Sequence, residues 1–288
     1  MILAQETPTV SVIMPAHNVE RFVEQAIGSV LNQTLKDFEL IIVDDGSTDR
    51  TLEICRRIAH DEPRIKIIEQ KENHGPGPAR NLALDHAIGE FIFFLDADDL
   101  ILDQALEKLI NTARSNDAEV VHCNRFLRRN VNADGSINGA ELLKTDPKPH
   151  VGFLTSDLNL RLEKTYSNFD MWIQIWLNLY RRDFLERNAL CFPDMIGEDE
   201  PFFIAVLCCA ERFLCVQDHF YVYNRRLGSE TQSNSSERAS KGVAALVEGC
   251  RHVNATFARH PSLSNRAKSI CMQELIERIS RNYNPASL

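Results

Sequence analysis

The chain has 288 residues, 44% of them hydrophobic and 25% charged, and a formal net charge of −9. That is enough for one large α/β domain with an appendage, in the composition range of water-soluble globular proteins rather than disordered ones. An acidic chain lacks the basic face of a nucleic-acid binder, so no nucleic-acid partner is expected.

The first 125 or so residues alternate short apolar runs with amphipathic segments, the pattern of βα units around a largely parallel sheet. Val10 to Met14 reads as the first strand, followed by a helix with Phe22, Val23, Ala26, Ile27, Val30 and Leu31 on one stripe. Leu40 to Val43 is a second buried strand, closed by Asp44-Asp45-Gly46-Ser47; a helix with Leu52, Cys55, Ile58 and Ala59 inward comes next. Ile65 to Ile68 is a third strand, and a Gly/Pro loop from Asn73 to Pro78 leads into a helix ending near Gly89. Phe91 to Leu95 then runs straight into Asp96-Ala97-Asp98-Asp99. This run is too short to cross a membrane and suits a buried strand with acids at its carboxyl end. Leu102, Ala105, Leu106, Leu109, Ile110 and Ala113 mark another helix, and Glu119 to Cys123 a fifth strand.

Residues 128–150 are rich in Asn, Asp, Gly, Lys and Pro and read as an exposed excursion. Trp172, Trp176, Tyr180 and Phe184 recur at four-residue spacing, which fits core packing better than a ligand platform. Val243, Leu246, Val247, Cys250, Val253 and Phe257 make an amphipathic helix, and a less regular one holds Ile270, Cys271, Leu275 and Ile279. Residues 237–288 carry a net +4, leaving −13 on the rest. A helical cap on the α/β domain, or a homodimer contact, is the ordinary expectation for such helices; peripheral docking on an anionic membrane is the alternative. The eight cysteines form no C-x-x-C pair and read as buried free thiols of a reducing compartment. With no signal-peptide pattern at Met1 to Glu6, a cytoplasmic protein is expected, at most peripheral on the inner face of the membrane.

Four polar clusters fall where the carboxyl edge of the sheet should be: Pro15 to Asn18, Asp44 to Ser47, Asn73 to Asn81, and Asp96 to Asp98. In a parallel sheet these tips converge on one rim, where α/β proteins bind ligands. Grouped carboxylates suit a hard divalent cation carrying a substrate phosphate, Mn²⁺ or Mg²⁺. Taken singly, Asp-Gly-Ser and the glycines are also ordinary turn chemistry.

The strings Val10 to Asn18, Ser29 to Thr34, Phe38 to Asp49 and Gly77 to Asn81, with Asp96-Ala97-Asp98 as a D-x-D motif, closely resemble the inverting family 2 glycosyltransferases of GT-A fold. Leu179 to Leu185, Phe192-Pro193, Gly197-Glu198-Asp199 with Phe202, and Tyr221 to Ser229 resemble that family's acceptor-side half. The resemblance implies a GT-A catalytic domain over 8–232, with a Rossmann-like donor half (8–125) and an acceptor half (126–232), followed by a helical extension over 237–288. It also implies transfer of a sugar from a nucleotide-sugar, by expectation a UDP-sugar, to a glycan or lipid-linked acceptor. Pro15, His17 and Asp45 would border the base, Asp45 accepting from uracil N3–H. Arg80 would help hold the nucleotide, and Arg226 would contact the diphosphate. Asp96, Ala97 and Asp98 would lie against nucleotide and metal, with Asp98 the principal ligand, Asp96 the second and Asp99 a supporting residue. Asp199 would be the catalytic base, its pKa raised by Glu198, although capping a helix that begins near Glu200-Pro201 is the plainer role for an acid there.

Departures from the family pattern lie at Leu177-Asn178, Asn224 and Arg226, which bears on the sugar and acceptor. Two other readings remain at this point. One is a haloacid-dehalogenase-like phosphatase using Asp96 as nucleophile, against which three βα units precede the motif. The other is a non-catalytic nucleotide-sugar or partner-binding module.

Overall fold

The computed structural model describes residues 7–132, 136–144, 150–167, 171–195, 197–226 and 236–283. Three parallel strands come first: β1 (Val10–Ala16), β2 (Phe38–Asp45) and β3 (Ile65–Gln70), separated by α1 (Val23–Leu31) and α2 (Thr51–Ala59). β2 is buried along its whole length and β1 almost so, which is why both read as continuous apolar runs: a parallel strand covered on both faces has no solvent side. α3 (Pro76–Leu84) returns the chain to β4 (Phe91–Phe94), which lies parallel to β1 on its other side. Each of the three β4 phenylalanines is buried, contributing about 1.5–3 kcal/mol apiece.

The chain then makes β5 (Leu100–Ile101), α4 (Ala105–Ser115), β6 (Val120–Val131), β7 (Ile137–Lys144), β8 (Gly152–Phe153) and α5 (Leu158–Ser167). A 3₁₀ turn (Ile175–Leu177) leads to β9 (Asn178–Arg181), α6 (Arg182–Arg187), α7 (Asp199–Cys209) and β10 (Phe213–Arg226). The main sheet runs β3-β2-β1-β4-β9-β6-β10-β5, with β7 on β6 and β8 on β10. β9 is antiparallel to both β4 and β6, while β6 and β10 are parallel. The mixed, mainly parallel α/β sheet expected from the sequence is therefore present. The boundary drawn at residue 125 falls inside β6, because that strand continues to Val131.

Two expectations are corrected. The excursion over 128–150 is partly strand: β6 extends to Val131 and β7 pairs back on it, polar composition notwithstanding, because a strand near the sheet margin need not be apolar on both faces. The aromatic series belongs to the core as expected but is no single stripe. Trp172 precedes the 3₁₀ turn, Trp176 lies in it, Tyr180 is in β9 and Phe184 in α6. The four-residue spacing is a coincidence of three short elements.

α8 (Ser236–Ala258) and α9 (Asn265–Tyr283) pack on each other, on α7 and on α5, burying Val253, Phe257, Cys271, Leu275 and Ile279. They form the helical cap. The N-terminal part of the α8 stripe is not covered, Val243 being 73% and Val247 52% exposed. Among the described residues no helix is long and apolar enough to cross a membrane, and the eight cysteines are free thiols, most of them buried.

Candidate active site

The four loop tips meet. Pro15, Ala16, His17, Val19, Asp45, Asn73, Gly75, Pro76, Arg80, Asp96, Ala97, Asp98 and Tyr223 line one cleft with about 870 Å³ of space open to solvent. Backbone conformation and short polar side chains hold these tips in place. Asn18 sits in the left-handed region at φ +52°, which Asn tolerates, and its Oδ1 accepts the Thr48 N–H at 2.8 Å. The His17 Nδ1–H donates to the Asp45 carbonyl at 2.7 Å, leaving Nε2 to accept from the Asn18 amide at 3.0 Å. Gly46 (φ +67°) presses on the backbone of Glu72, where a Cβ would come within 2.8 Å. Next to it, the Asp45 carboxylate accepts the N–H groups of His74 at 2.9 Å and Gly75 at 2.7 Å. Asp45 thus joins the second tip to the third, a task with no local signal in the sequence.

The third tip explains why Gly77 and Asn81 accompany Arg80. A Cβ on Gly77 would lie 2.8 Å from the Pro193 carbonyl and 3.2 Å from Glu198 Cγ, so only glycine lets α3 lie this close to the segment before α7. Asn81 docks the same segment reciprocally, its amide donating to the Phe192 carbonyl at 2.8 Å and its Oδ1 accepting the Phe192 N–H at 2.9 Å. Neither contact has a local sequence signal, because the partners lie 111 residues apart.

Arg80 is carried by this docking into a nest of acids. Its guanidinium donates to Glu198, to Asp199 Oδ1 at 3.2 Å and to Asp96 Oδ1 at 2.8 Å. It was expected to hold a nucleotide; although it borders the cleft, its hydrogen bonds go to protein carboxylates. Burial by itself would lower its pKa, but Asp199, Asp96 and Glu198 outweigh that, and the guanidinium is held well above its ordinary value. The arginine joins the acid at the β4 tip to the acid pair at the start of α7.

Asp199 is the first residue of α7, and the helix start has no side-chain capping bond. The capping role therefore gives way to the Arg80 contact. The Asp199 side chain keeps 37% of its surface open, yet enough protein crowds the carboxylate that burial raises its pKa well above the ordinary carboxylate value. Arg80 pulls the other way, and Glu198 and Asp96 add to the rise. Glu198 contributes as the sequence suggested, but burial comes first.

Asp99 is a supporting residue, as expected. Buried, it accepts from the Tyr221 hydroxyl at 2.8 Å and the Asn224 N–H at 2.7 Å. Asn224 in turn donates to the Asp98 carbonyl at 2.5 Å and accepts from Arg129 Nε at 2.5 Å. The family departure at Asn224 is thus built into the D-x-D turn. Burial, then Asp98 and Asp96, push the Asp99 pKa well up. The Asp96 side chain is 30% exposed, with one oxygen on Arg80. Among the described residues no three of His, Cys, Asp and Glu gather as a complete ligand set. Two carboxylates at a cleft edge fit a hard cation that takes its other ligands from phosphate and water. The Arg226 backbone pairs with Val131, but its side chain lies outside the described residues.

Residues 11–172, over half of the chain, match the family model described as glycosyl transferase family 2. The chain belongs to glycosyl transferase family 2. Among sequence relatives of this family 2 chain, EpsJ of Bacillus subtilis, named an uncharacterized glycosyltransferase, is 33% identical over 227 residues, covering 78% of the chain and 63% of EpsJ. The chain spans under two thirds of the length of several such relatives. Among solved structures, S. aureus TarS 1-349 in complex with UDP-GlcNAc aligns with TM-score 0.63 at 22% identity, covering 96% of this chain and 82% of TarS. The mannosyltransferase PcManGT of Pyrobaculum calidifontis, in complex with GDP-Man and Mn²⁺, aligns at 0.58 and 19% identity, covering 96% and 74%. Both place this family 2 chain in the same fold, and the family match does not favour the phosphatase reading.

Proposed function

We propose that the chain is a metal-dependent inverting glycosyltransferase, moving a sugar from a nucleotide-sugar to a hydroxyl of a glycan or lipid-linked acceptor. The carrying observation is the Arg80 nest, which brings the D-x-D acid Asp96 and the acid pair Glu198 and Asp199 to one guanidinium beside a cleft. A transfer reaction needs a place for a departing phosphate and a base for an incoming hydroxyl side by side. This arrangement supports that reading, with Asp96 on the phosphate side and Asp199 on the hydroxyl side.

In this reading Pro15, His17 and Asp45 border the base. Two of the lone-pair sites of the Asp45 carboxylate are taken by loop N–H groups, leaving capacity for a uracil N3–H and favouring a UDP-sugar. Asp98, with Asp96, would hold Mn²⁺ or Mg²⁺; when bound, the cation supplies Lewis-acid stabilisation of charge on the leaving diphosphate. Ala97 lies between them at the nucleotide, and Arg226 is assigned to the diphosphate.

Asp199 takes the proton of the acceptor hydroxyl. The freed oxygen electron pair forms the bond to the anomeric carbon from the face opposite the phosphate. The bond from that carbon to the phosphate oxygen breaks, and its electron pair leaves with the nucleoside diphosphate. A carboxylate of raised pKa is the stronger base, which suits this step near neutrality. Arg80 keeps Asp199 and Asp96 in place and offsets their mutual repulsion.

The donor half (8–125), acceptor half (126–232) and helical extension (237–288) belong to the same proposal. Exposed Val243 and Val247 support peripheral contact with the inner membrane face, and a second copy of the chain is the other occupant they suit. Co-sedimentation with anionic liposomes separates these, since a dimer contact gives none.

The decisive test incubates purified protein with UDP-sugars, Mn²⁺ and candidate glycan acceptors. Release of UDP coupled to acceptor glycosylation, with the anomeric configuration inverted, is expected. Nucleotide-sugar binding without transfer to any acceptor would favour a non-catalytic binding module.

A further inference from the structure

Beyond the donor cleft, the same face of the sheet continues as a wall of rings and arginines. β6 and β10 are parallel, and past two irregularities their last five residue pairs run in register, Tyr223 beside Arg128 and Arg225 beside Asn130. Side chains alternate along a strand, so Phe126 and Arg128 share a face, as do Tyr223 and Arg225. Ring contacts show that these are one and the same face. Phe126 lies edge-on to Tyr223 at 6.4 Å and to Trp172 at 5.3 Å, and Trp176 runs nearly parallel to Tyr223 at 5.9 Å. Tyr223 itself borders the cleft together with Asp96 and Asp98. The wall therefore begins where the donor cleft ends.

The arginines of this wall differ from most others in the chain. Arg56, Arg64, Arg114, Arg181 and Arg187 each have a carboxylate partner. Arg128 is half-buried, and its Nε is shut off from solvent with no hydrogen-bond acceptor among the described residues. Such a buried donor is destabilising unless something accepts from it. Arg225 is exposed and has no ion pair among the described residues. Arg129, one residue along, points to the other face and is occupied by Asn224. Two cations thus flank a half-exposed tyrosine, in a chain of net charge −9, beside a nest of acids. With no counter-charge among the described residues, they are placed for an anion.

We infer that this wall is an acceptor subsite for a negatively charged sugar. The sugar ring lies against Tyr223 and Trp172, and a carboxylate or phosphate substituent takes hydrogen bonds from Arg128 and Arg225. A planar guanidinium matches both kinds of oxyanion, and an aromatic face suits the apolar side of a sugar ring. This rests on the glycosyltransferase reading and names the class of acceptor it would take.

The test uses the full chain saturated with UDP and Mg²⁺, so that the donor cleft is filled. Glucose, glucuronate and glucose 6-phosphate are titrated separately, with binding followed by NMR. At least one charged probe is expected to bind tenfold or more tighter than glucose, the gain of one charge-assisted hydrogen-bonded contact. Comparing the two charged probes tells a carboxylate from a phosphate ester. Arg128→Gln and Arg225→Gln should each remove most of that preference while UDP affinity stays within about twofold. Tyr223→Leu should weaken glucose as well as the charged probes. Equal binding of charged and neutral probes would overturn the inference. So would a parallel loss of UDP affinity in the two arginine variants, which would assign the arginines to the donor diphosphate. If the unaltered protein binds no UDP at all, the donor reading fails first, a result separable from either.

Discussion

The loop rim of the cleft and the aromatic wall beside it are held by different forces. On the rim, short polar side chains grip backbone: Asn18 holds Thr48, Asp45 holds His74 and Gly75, and Asp99 holds Asn224. On the wall, rings pack on rings. Trp176 stacks on Tyr221 at 4.2 Å and packs edge-to-face with Phe126 at 5.1 Å. Hydrogen bonds fix direction as well as distance, so the rim admits one loop arrangement. Packing fixes shape but leaves polar atoms such as Arg128 Nε without a partner among the described residues. A rim of this kind suits an invariant ligand part such as a nucleotide, and a wall of rings suits an acceptor that varies. Arg80 is the joint between the rim and the acid pair at the start of α7.

The comparison is broken most sharply at Asp199. Asp199→Asn keeps the shape but removes the base, and kcat should fall by about 10²–10⁴. Nucleotide binding, which the proposal assigns to the rim, should not change; calorimetry with UDP checks this, and an active variant would refute the assignment. Arg80→Gln attacks the joint. Loss of a buried cation from three acids should cost about 3–5 kcal/mol, read as a lowered midpoint in chemical denaturation. Arg80→Lys should lose less, since the charge remains.

Asp98→Ala acts on the rim alone. Metal affinity should drop by at least the roughly 10–100-fold seen for residues that merely support ligands, and excess Mn²⁺ should restore part of the activity. Chelation with EDTA should abolish transfer in the unaltered protein and be reversed by added metal.

A pH profile sharpens the comparison further. Asp199 takes a proton only when ionised, and burial raises its pKa. Activity should therefore fall as pH drops through that raised value, with the acid limb of kcat/KM above the usual carboxylate range. Arg80 lowers the Asp199 pKa, so in Arg80→Lys, where the ammonium cannot reproduce three directed contacts, the limb should move to higher pH. A limb that stays put would separate Arg80 from the base. The smallest effect is expected at Asn18→Ala, where loss of the loop-holding acceptor should cost about 1–2 kcal/mol of stability, with little change in the pH profile.

The rim was readable from sequence because its signals are local. Four apolar runs are each followed by a loop that holds Gly, Asp, Asn or His, and a parallel sheet puts all such loops on one edge. Asp99 was also assigned correctly as support. What escaped depends on distance along the chain. Nothing near Arg80 announces Glu198, 118 residues away, and nothing near Asp45 announces that its carboxylate is holding the next loop. β7 was hidden by polar composition, since a strand outside the main path of the sheet owes little to apolar alternation. The aromatic series misled in the opposite way, offering a regular spacing where the chain makes three short elements. The wall arginines stood in the excursion and in a motif string, and only the β6–β10 register brings Arg128 beside Tyr223.

The position of β9 bears on how the protein is made. β4 and β6 leave a gap that is closed only by residues 178–181, so a ribosome must translate well past that point before the sheet is whole. Until then the Phe91–Phe94 strand has an open, apolar hydrogen-bonding edge, the kind of surface that invites pairing with another chain. Slow synthesis or a stalled ribosome between β6 and β9 should therefore favour aggregation, and a fragment ending near residue 125 would be a poor choice for a stand-alone donor domain.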